Sequence, residues 1–394
     1  MKKEEGLLPL KGVRVVEMGV WIAVPAAGAM LCDWGADVIK IEPSSGDPAR
    51  HAAASIYGFD WDFVSPPFEV DNRGKRSLEL DAKDPKGQEI IAKLLETADV
   101  FISNLRPGAM KKLGLSPEAL REKYPRLVIG QITGYGSSGP EMNTPGYDSG
   151  GFWAYSGLAH QFAGETGYPP VLASAVGDHL TGMSLASGLA AALYGREQTG
   201  QGCIVETSLL KTGIFAGSAN LSVRLSTDVS LPAKSRFTNN APLVNNYRCS
   251  DGKAFWLLCT ESDRHWPTLL EAIERLDLKD DGRFSSTPLR SENAEELIKE
   301  LDQIFATKTR PQWIEIFNSH EVWWAPVHDL DEIIENEQAN HIGSFPEMPA
   351  ESDGDACQTI ATPVDFNRVP TRPRGRSPAL GRDNDAILKE LDLQ

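Results

Sequence analysis

Asp178 lies in the step Val176-Gly177-Asp178-His179, directly ahead of the apolar run at residues 181–194. A carboxylate at the start of a helix has two readings. It can cap the helix, accepting the orphan backbone N–H groups there. It can also be a nucleophile that takes up part of a substrate covalently, in which case the flanking glycine would let the substrate approach closely. The residues alone leave both open.

Cations gather in two places. Asn104-Leu105-Arg106-Pro107-Gly108-Ala109, followed by Lys111 and Lys112, leaves an expected strand at 101–103, and Asn72-Arg73-Gly74-Lys75-Arg76 is a second island. Each is a solvated face or part of a site for a phosphate-bearing ligand. The net charge of −16 excludes nucleic acid and an anionic membrane as partners, since both need a basic face, so an anion site must gather its own local charge. A glycine string, Gly134, Gly136 and Gly139 in GYGSSG, follows another expected strand. Pro140, Asn143, Pro145 and Gly146 come next, so no helix can start there to receive a pyrophosphate, and the string reads as a turn. His51, His160, His265, His320, His328 and His341 are scattered, with no nucleophile elbow. Cys32, Cys203, Cys249, Cys259 and Cys357 form no CxxC pair and no zinc-ligand spacing, so no metal is expected. An odd, scattered set suits reduced thiols in a cytoplasm. The N-terminal MKKEEGLLPLKG has no apolar core of a secretory signal. The run at 181–194 is too short for a membrane span and reads as a buried helix.

The elements that must position these residues alternate. Strands are expected at 13–17, 38–41, 100–103, 127–133 and 204–207, with helices at 25–34, 85–98, 117–123, 181–195 and 209–224. This βαβ alternation predicts an α/β fold with a mostly parallel sheet covered on both faces. Residues 226–246 are polar and aperiodic and read as a linker or site loop. A smaller domain follows, with a strand at 253–259 and helices at 266–275, 294–306 and 311–319. Residues 322–327 and a helix at 330–336 lead into a Pro/Arg-rich stretch at 363–378 and a last helix at 384–391. The expected division is therefore 1–225 for the first part of a large domain, 226–325 for linker and small domain, and 326–394 for a return to the large one.

Taken in order, several blocks resemble the class III CoA-transferases, the family of formyl-CoA transferase and carnitine CoA-transferase. They are LKGVRVVEMG…AGAMLCDWGADVIKIEPSSGDPAR, VDNRGKRSLELDAKDPKGQEIIAKLLETADVFISNLRPGAMKKLGLS, PRLVIGQITGYGSSGP, VGDHLTGMSLASGLAAALYGREQTGQG and SPALGRDNDAILKEL. The resemblance implies a Rossmann-like large domain built from both chain ends, a smaller α+β domain, and an interlocked homodimer. It implies that Asp178 is the catalytic carboxylate, attacking an acyl-CoA thioester to give an aspartyl anhydride and then an aspartyl-CoA thioester. The CoA site would include Trp21, Ala23, Asn104, Arg106, Lys112 and Tyr135, with Lys75 and Arg76 at the adenosine-phosphate end. Acyl-CoA and a carboxylic acid would be the substrates, with no permanently bound cofactor.

Three departures from the family pattern bear on which member this resembles. Racemases of the family carry Gly-His-Asp where this chain has Gly146-Tyr147-Asp148, and tyrosine is a poor base near neutral pH, which favours transfer over racemisation. Formyl-CoA:oxalate enzymes have a glutamine at the place of Ile22, so oxalate is not the expected acceptor. Gly381-Arg382-Asp383 replaces a Gly-Glu-His step common near the C-terminus. A non-catalytic CoA-binding subunit is a third alternative, against which the retained Gly-Asp step argues. Aromatic residues at Tyr57, Phe59, Trp61, Phe63, Phe152, Trp153, Tyr155, Trp323 and Trp324, with the apolar Ile22, suggest a bulky acceptor such as an arylalkanoic or branched 2-hydroxy acid.

Overall fold

Six short runs rich in Val and Ile pair side by side. They are β1 (Arg14–Met18), β2 (Asp37–Glu42), β3 (Arg76–Glu79), β4 (Val100–Ser103), β5 (Val128–Thr133) and β6 (Ile204–Ser208). Their order is β3-β2-β1-β4-β5-β6, and every neighbouring pair is parallel. In the computed structural model, which describes residues 7–52, 58, 65–229, 231–233, 235–349 and 357–393, this sheet organises the first of two compact units. That unit is built from Met1–Leu158, Val171–Val223 and Asn336–Gln394, the second from Ala159–Pro170 and Arg224–Glu335. The α/β architecture expected from the alternation is therefore present. The chain turns back into the first unit about ten residues later than the expected boundary at 326. The reason is that β9 (Trp324–Pro326) pairs with a strand of the second unit, and Glu332 is tied there to Lys253 and Arg310.

The helices of the first unit are α1 (Ala23–Asp33), α2 (Pro66–Asn72), α3 (Pro85–Thr97), α4 (Pro107–Lys112), α5 (Pro117–Lys123), α6 (Val176–Thr199) and α7 (Leu209–Ala216). Four of them open on proline, whose fixed φ suits the first helical position and whose missing N–H costs nothing there. Asp84 and Ser116 cap α3 and α5 by accepting from Lys86 N and Ala119 N. Both faces of the sheet are covered, so successive strand residues are buried in turn. Val15 and Ile102 pack with α1 and α6, while Val16 and Phe101 pack with α3 and α5.

Several expectations change in detail. The helix expected at 181–195 begins earlier, at Val176, so Asp178 lies inside its first turn. The helix expected at 209–224 breaks at Gly217 into α7 and α8 (Ser218–Ser226). The basic island at residues 72–76 is the link from helix α2 to strand β3. The cations of that link turn inward: Lys75 is 1% exposed and Arg73 is 2% exposed, the latter ion-paired with Asp33 at 2.7 Å. Part of the polar stretch 226–246 is strand β7 (Val244–Arg248), with Asn245 buried and its amide donating to Arg236 O. Strands β7, β8 (Ala254–Leu258) and β9 form the second unit's antiparallel sheet, over a core that includes Tyr247, Phe255, Phe305, Trp313 and Phe317. Trp324 packs against this core and so is not free for a substrate pocket in the way the aromatic count suggested, while Trp323 lies on His265 and stays half exposed. Tyr57, Phe59, Trp61 and Phe63 lie outside the described residues.

The last segment closes the open edge of the sheet. Asp383 accepts from Ser77 N and donates its own N–H to Ser77 O, and Asn384 accepts from Glu79 N. Gly381-Arg382-Asp383 thus covers edge strand β3, which would otherwise present unpaired backbone groups. No helix among the described residues is long and apolar enough to cross a membrane.

Under the sheet's carboxyl edge lies a buried ion cluster. Glu17 on β1 accepts from Lys40 of β2 (3.0 Å) and pairs with Lys75 (2.8 Å), and Lys40 also pairs with Asp47 (2.9 Å). All four side chains are fully buried. Gly28 of α1 leaves room for it: a Cβ there would stand 2.0 Å from Glu17 Oε2. Gly195 of α6, by contrast, faces open space. Alanine normally stabilises a helix interior by about 1 kcal/mol over glycine. Gly195→Ala should therefore raise the melting temperature, whereas Gly28→Ala should lower stability by about 2 kcal/mol or more. Thermal and urea denaturation of the two variants beside wild type checks the pair.

Candidate active site

In a parallel sheet whose order reverses, ligands gather beyond the carboxyl ends of the strands on either side of the reversal. Here those strands are β1 and β4, followed by the loops 19–22 and 104–106. Asn104 joins them: its Oδ1 accepts from Val20 N (3.0 Å) and its Nδ2 donates to Val20 O (2.7 Å). Trp21 next to it has φ of +65°, a left-handed conformation costly for a non-glycine residue. Asp47 holds it there, accepting from Trp21 N at 3.0 Å while ion-paired to Lys40.

A cleft of about 340 Å³ opens over these loops, lined by Trp21, Asn104, Arg106, Tyr147, Asp178 and Leu209 among others. Its far wall is the loop around Gly146. That loop rests on the β5 end because Gly134 and Gly146 meet backbone to backbone: a Cβ on Gly134 would be 2.8 Å from Gly146 Cα. The close approach that the glycine string permits is therefore to the chain itself. Tyr147 stands edge-on to Trp21, with ring centres 6.0 Å apart.

Asp178 occupies the third position of α6. The N-cap position belongs to Ala175, which has φ of +66° and no side-chain cap. The capping reading of Asp178 is thus overturned. Gly177 also has a different role from the one expected, since its missing side chain makes room for the Phe152 ring, 2.4 Å from where a Cβ would be. The Asp178 carboxylate is half-buried and has no hydrogen-bond or ion-pair partner among the described residues. Burial, reinforced by the like charge of Asp148 and, more weakly, of Asp71, pushes it up to about 7 from the ordinary aspartate value, and His179 opposes this. Asp148 is itself buried, with Oδ2 unpartnered. The His179 ring meets Asp71 at 3.1 Å.

Of the residues expected at the site, Asp178, Trp21, Ala23, Asn104 and Arg106 line this one cleft. Arg106 also donates to Asn143 O (3.3 Å), and both the oxygen and the nitrogen of the Asn104 side-chain amide are used in holding Val20. Lys112 is exposed at the last turn of α4 and is not among the lining residues, and Tyr135 packs edge-on to Tyr155 behind the cleft wall. Lys75 and Arg76 do not belong to the cleft. Lys75 is enclosed by Glu17, Asn72 Oδ1 and Pro25 O, and burial pulls its ammonium down to about 8. Arg76 pairs with Asp37 and Glu390. Ile22 is the N-cap residue of α1 and is not among the lining residues, so it says little about the acceptor. Phe152 sits in a small core with Leu158 and Leu209, with Trp153 packed against it. Leu209 and Asp71 were not singled out from sequence as site residues, and Tyr147 and Asp148 entered only as the step that stands in place of the racemases' Gly-His-Asp. Among the described residues no three His, Cys, Asp or Glu side chains gather as a metal would require.

The first unit is thus a parallel α/β unit whose cleft at the strand-order reversal is lined by the half-buried Asp178 carboxylate. The profile of CoA-transferase family III matches residues 10–384. This chain belongs to that family and is a CoA-transferase of class III. It is similar to an (R)-2-hydroxy-4-methylpentanoate CoA-transferase of Clostridioides difficile, 31% identical over 97% of this chain and 95% of the other. It is also similar to a cinnamoyl-CoA:phenyllactate CoA-transferase of Clostridium sporogenes, 32% identical over 96% and 92%. Among solved structures, a CaiB/BaiF family protein from Brucella suis superposes with a TM-score of 0.85, at 27% identity, over 98% of this chain and all of that one.

The raised Asp178 value has a consequence for stability. Between the ordinary aspartate value and about 7, the folded state holds a proton that the unfolded chain has lost, so stability falls as pH rises through that window and stays lowered above it. Asp178→Asn removes the effect. Its melting temperature should exceed wild type by a margin that grows from about pH 4 to pH 7 and then levels off, as differential scanning fluorimetry across pH would read.

Proposed function

We propose that this protein moves CoA from an acyl-CoA thioester to a free carboxylic acid, with Asp178 as the covalent acceptor. The observation that carries the reading is the unpartnered Asp178 carboxylate facing the cleft. An Asp178 oxygen attacks the thioester carbonyl: the C–O bond forms, the C–S bond breaks, and CoA leaves as thiolate. The thiolate attacks the aspartyl carbonyl of this mixed anhydride and expels the donor's acid as a carboxylate. The resulting aspartyl-CoA thioester is attacked by the acceptor carboxylate, and the same two steps run in reverse. Covalent passage conserves the thioester's energy provided that water is kept out.

Arg106, at the cleft, and Lys112 further along α4 are the cations proposed for the CoA phosphates, with Trp21 and Ala23 lining the path of its thiol arm. Tyr135, behind the wall, would act through Gly146 and Tyr147. An interlocked homodimer is part of the same proposal. It is supported by large apolar side chains left exposed on α6 and α7, namely Tyr194, Ile214 and Phe215.

Asp178→Ala should fold and lose transfer by at least about a hundredfold, because removing a covalent nucleophile costs several orders of magnitude. Mass spectrometry of wild type mixed with acyl-CoA and quenched with hydroxylamine should find the modification on the peptide carrying Asp178. Retention of more than roughly a hundredth of the rate, or a modification elsewhere, overturns the assignment.

The acceptor proposed is a 2-hydroxy acid with a branched or aromatic side chain. Trp21, Tyr147 and Leu209 offer such a group an apolar lining, and the names of the two clostridial relatives point to acids of this kind. With one acyl-CoA donor, kcat/KM for phenyllactate and 2-hydroxy-4-methylpentanoate should exceed that for succinate or oxalate by roughly tenfold or more. A preference for the dicarboxylates would turn Arg106 from CoA toward the second carboxylate and remove this proposal.

A further inference from the structure

Asp71 is held rigidly. It lies on α2, its side chain is 5% exposed, and the residues after it are anchored: Asn72 Oδ1 accepts from buried Lys75 (3.0 Å), and Arg73 pairs with Asp33 (2.7 Å). The ring of His179, on α6 and nearly half exposed, comes to it with Nε2 3.1 Å from Asp71 Oδ1. The two residues are 108 positions apart, so this meeting is made by the fold. A buried carboxylate with an imidazole against it favours the protonated ring. Burial pulls the His179 ring down, but the hydrogen bond and charge of Asp71, joined by the charge of Asp178, more than offset it and leave the ring raised.

Around Asp178 the charged groups are Asp148, from the turn at 148–154, Asp71, from α2, and His179; around His179 they are Asp71 and Asp178. Two of Asp178's three charged neighbours repel its anion, and one attracts it. We infer that His179, turned and kept cationic by Asp71, is a positioning residue for the transfer, supplying the positive charge that keeps Asp178 ionised near neutral pH. The inference rests on the reading of Asp178 as nucleophile and deepens it. Each step of that reaction replaces one anion by another at the same place: aspartate by thiolate, thiolate by carboxylate. A fixed cation beside Asp178 therefore serves every step without moving a proton.

The test is the pH dependence of kcat/KM, with phenyllactate as acceptor and one acyl-CoA donor, for wild type, His179→Gln and Asp71→Asn. Wild type should show a rising limb in the neutral range. His179→Gln should move that limb upward by about one pH unit or more, losing roughly tenfold in rate at about pH 6 and regaining most of it at about pH 9. Asp71→Asn keeps a hydrogen-bonding partner for the ring but drops the charge, and should shift the limb in the same direction by less. It also serves as the second variant if His179→Gln fails to fold. A loss of the same size at every pH would mark the pair as structural, and an unmoved limb would mark it as idle; either overturns the inference. The hydroxylamine trap separates this from the parent reading. Modification on Asp178 with an unmoved limb sinks only the role of His179, whereas modification on another residue sinks the nucleophile assignment itself.

Discussion

Glu17 holds the carboxyl edge of the sheet together. Its carboxylate, with no exposure to water, receives Lys40 from β2 and Lys75 from the approach to β3, and Lys40 passes on to Asp47. Two ammonium groups and two carboxylates make the cluster neutral, the condition under which buried charges are tolerable. Such a cluster is a weak source of stability compared with apolar packing, but it is strict about geometry, because removing any member leaves an uncompensated buried charge. β1, β2 and the start of β3 are fixed in register at the end where the cleft opens, and α1 can pass over them because Gly28 has no side chain.

Both sides of the cleft are connected to this cluster. On one side Asp47, pinned by Lys40, accepts from Trp21 N and holds a tryptophan in a left-handed conformation at the mouth of α1. On the other, Lys75 donates to Asn72, which fixes α2, and α2 carries Asp71 to His179 beside Asp178. A second non-glycine residue with positive φ, Ala175, starts the helix that bears Asp178. Strained residues thus stand at the entrances of two of the helices that reach the cleft, α1 and α6, where left-handed backbone costs about 1–2 kcal/mol per residue. Such strain persists only where surrounding contacts over-determine it, and at Trp21 those contacts are Asp47 and the Asn104 clamp on Val20.

The sequence made the repeating parts legible. Runs such as Val100–Ser103 and Val128–Thr133 are buried on both faces and read as strands on composition, and the proline-led helices announce their own starts. The residues around Asp178 leave a cap and a nucleophile both open, and only the family resemblance points to the second; the N-cap reading is removed by seeing that Ala175 holds that position. Asn72-Arg73-Gly74-Lys75-Arg76 was not legible. A lysine neutralised by a glutamate 58 residues away looks, in sequence, the same as a lysine in water. The same holds for Asp71 and His179, and for Asn245, whose burial depends on Arg236 and the strand beside it. Long-range polar pairing has no period, so pattern reading cannot find it.

On the proposed mechanism, the charges around Asp178 also bear on the direction in which the anhydride breaks. The CoA thiolate can attack either carbonyl. Attack on the substrate's carbonyl expels Asp178 and returns the donor. Attack on the aspartyl carbonyl expels the substrate's acid and moves the transfer forward. The better leaving group is the weaker base. An ordinary carboxylic acid ionises near the free carboxylate range of about 4, whereas Asp178, half-buried and repelled by Asp148, is pushed up to about 7. The substrate's carboxylate is then the easier one to expel, so the like-charged surroundings of Asp178 favour the forward break and also make its oxygen a stronger nucleophile. Raised much further, the same group would be protonated at neutral pH and could not attack at all. Asp148 and Asp71 pushing up and His179 holding down leave a carboxylate that is basic enough to be expelled reluctantly and still ionised often enough to begin.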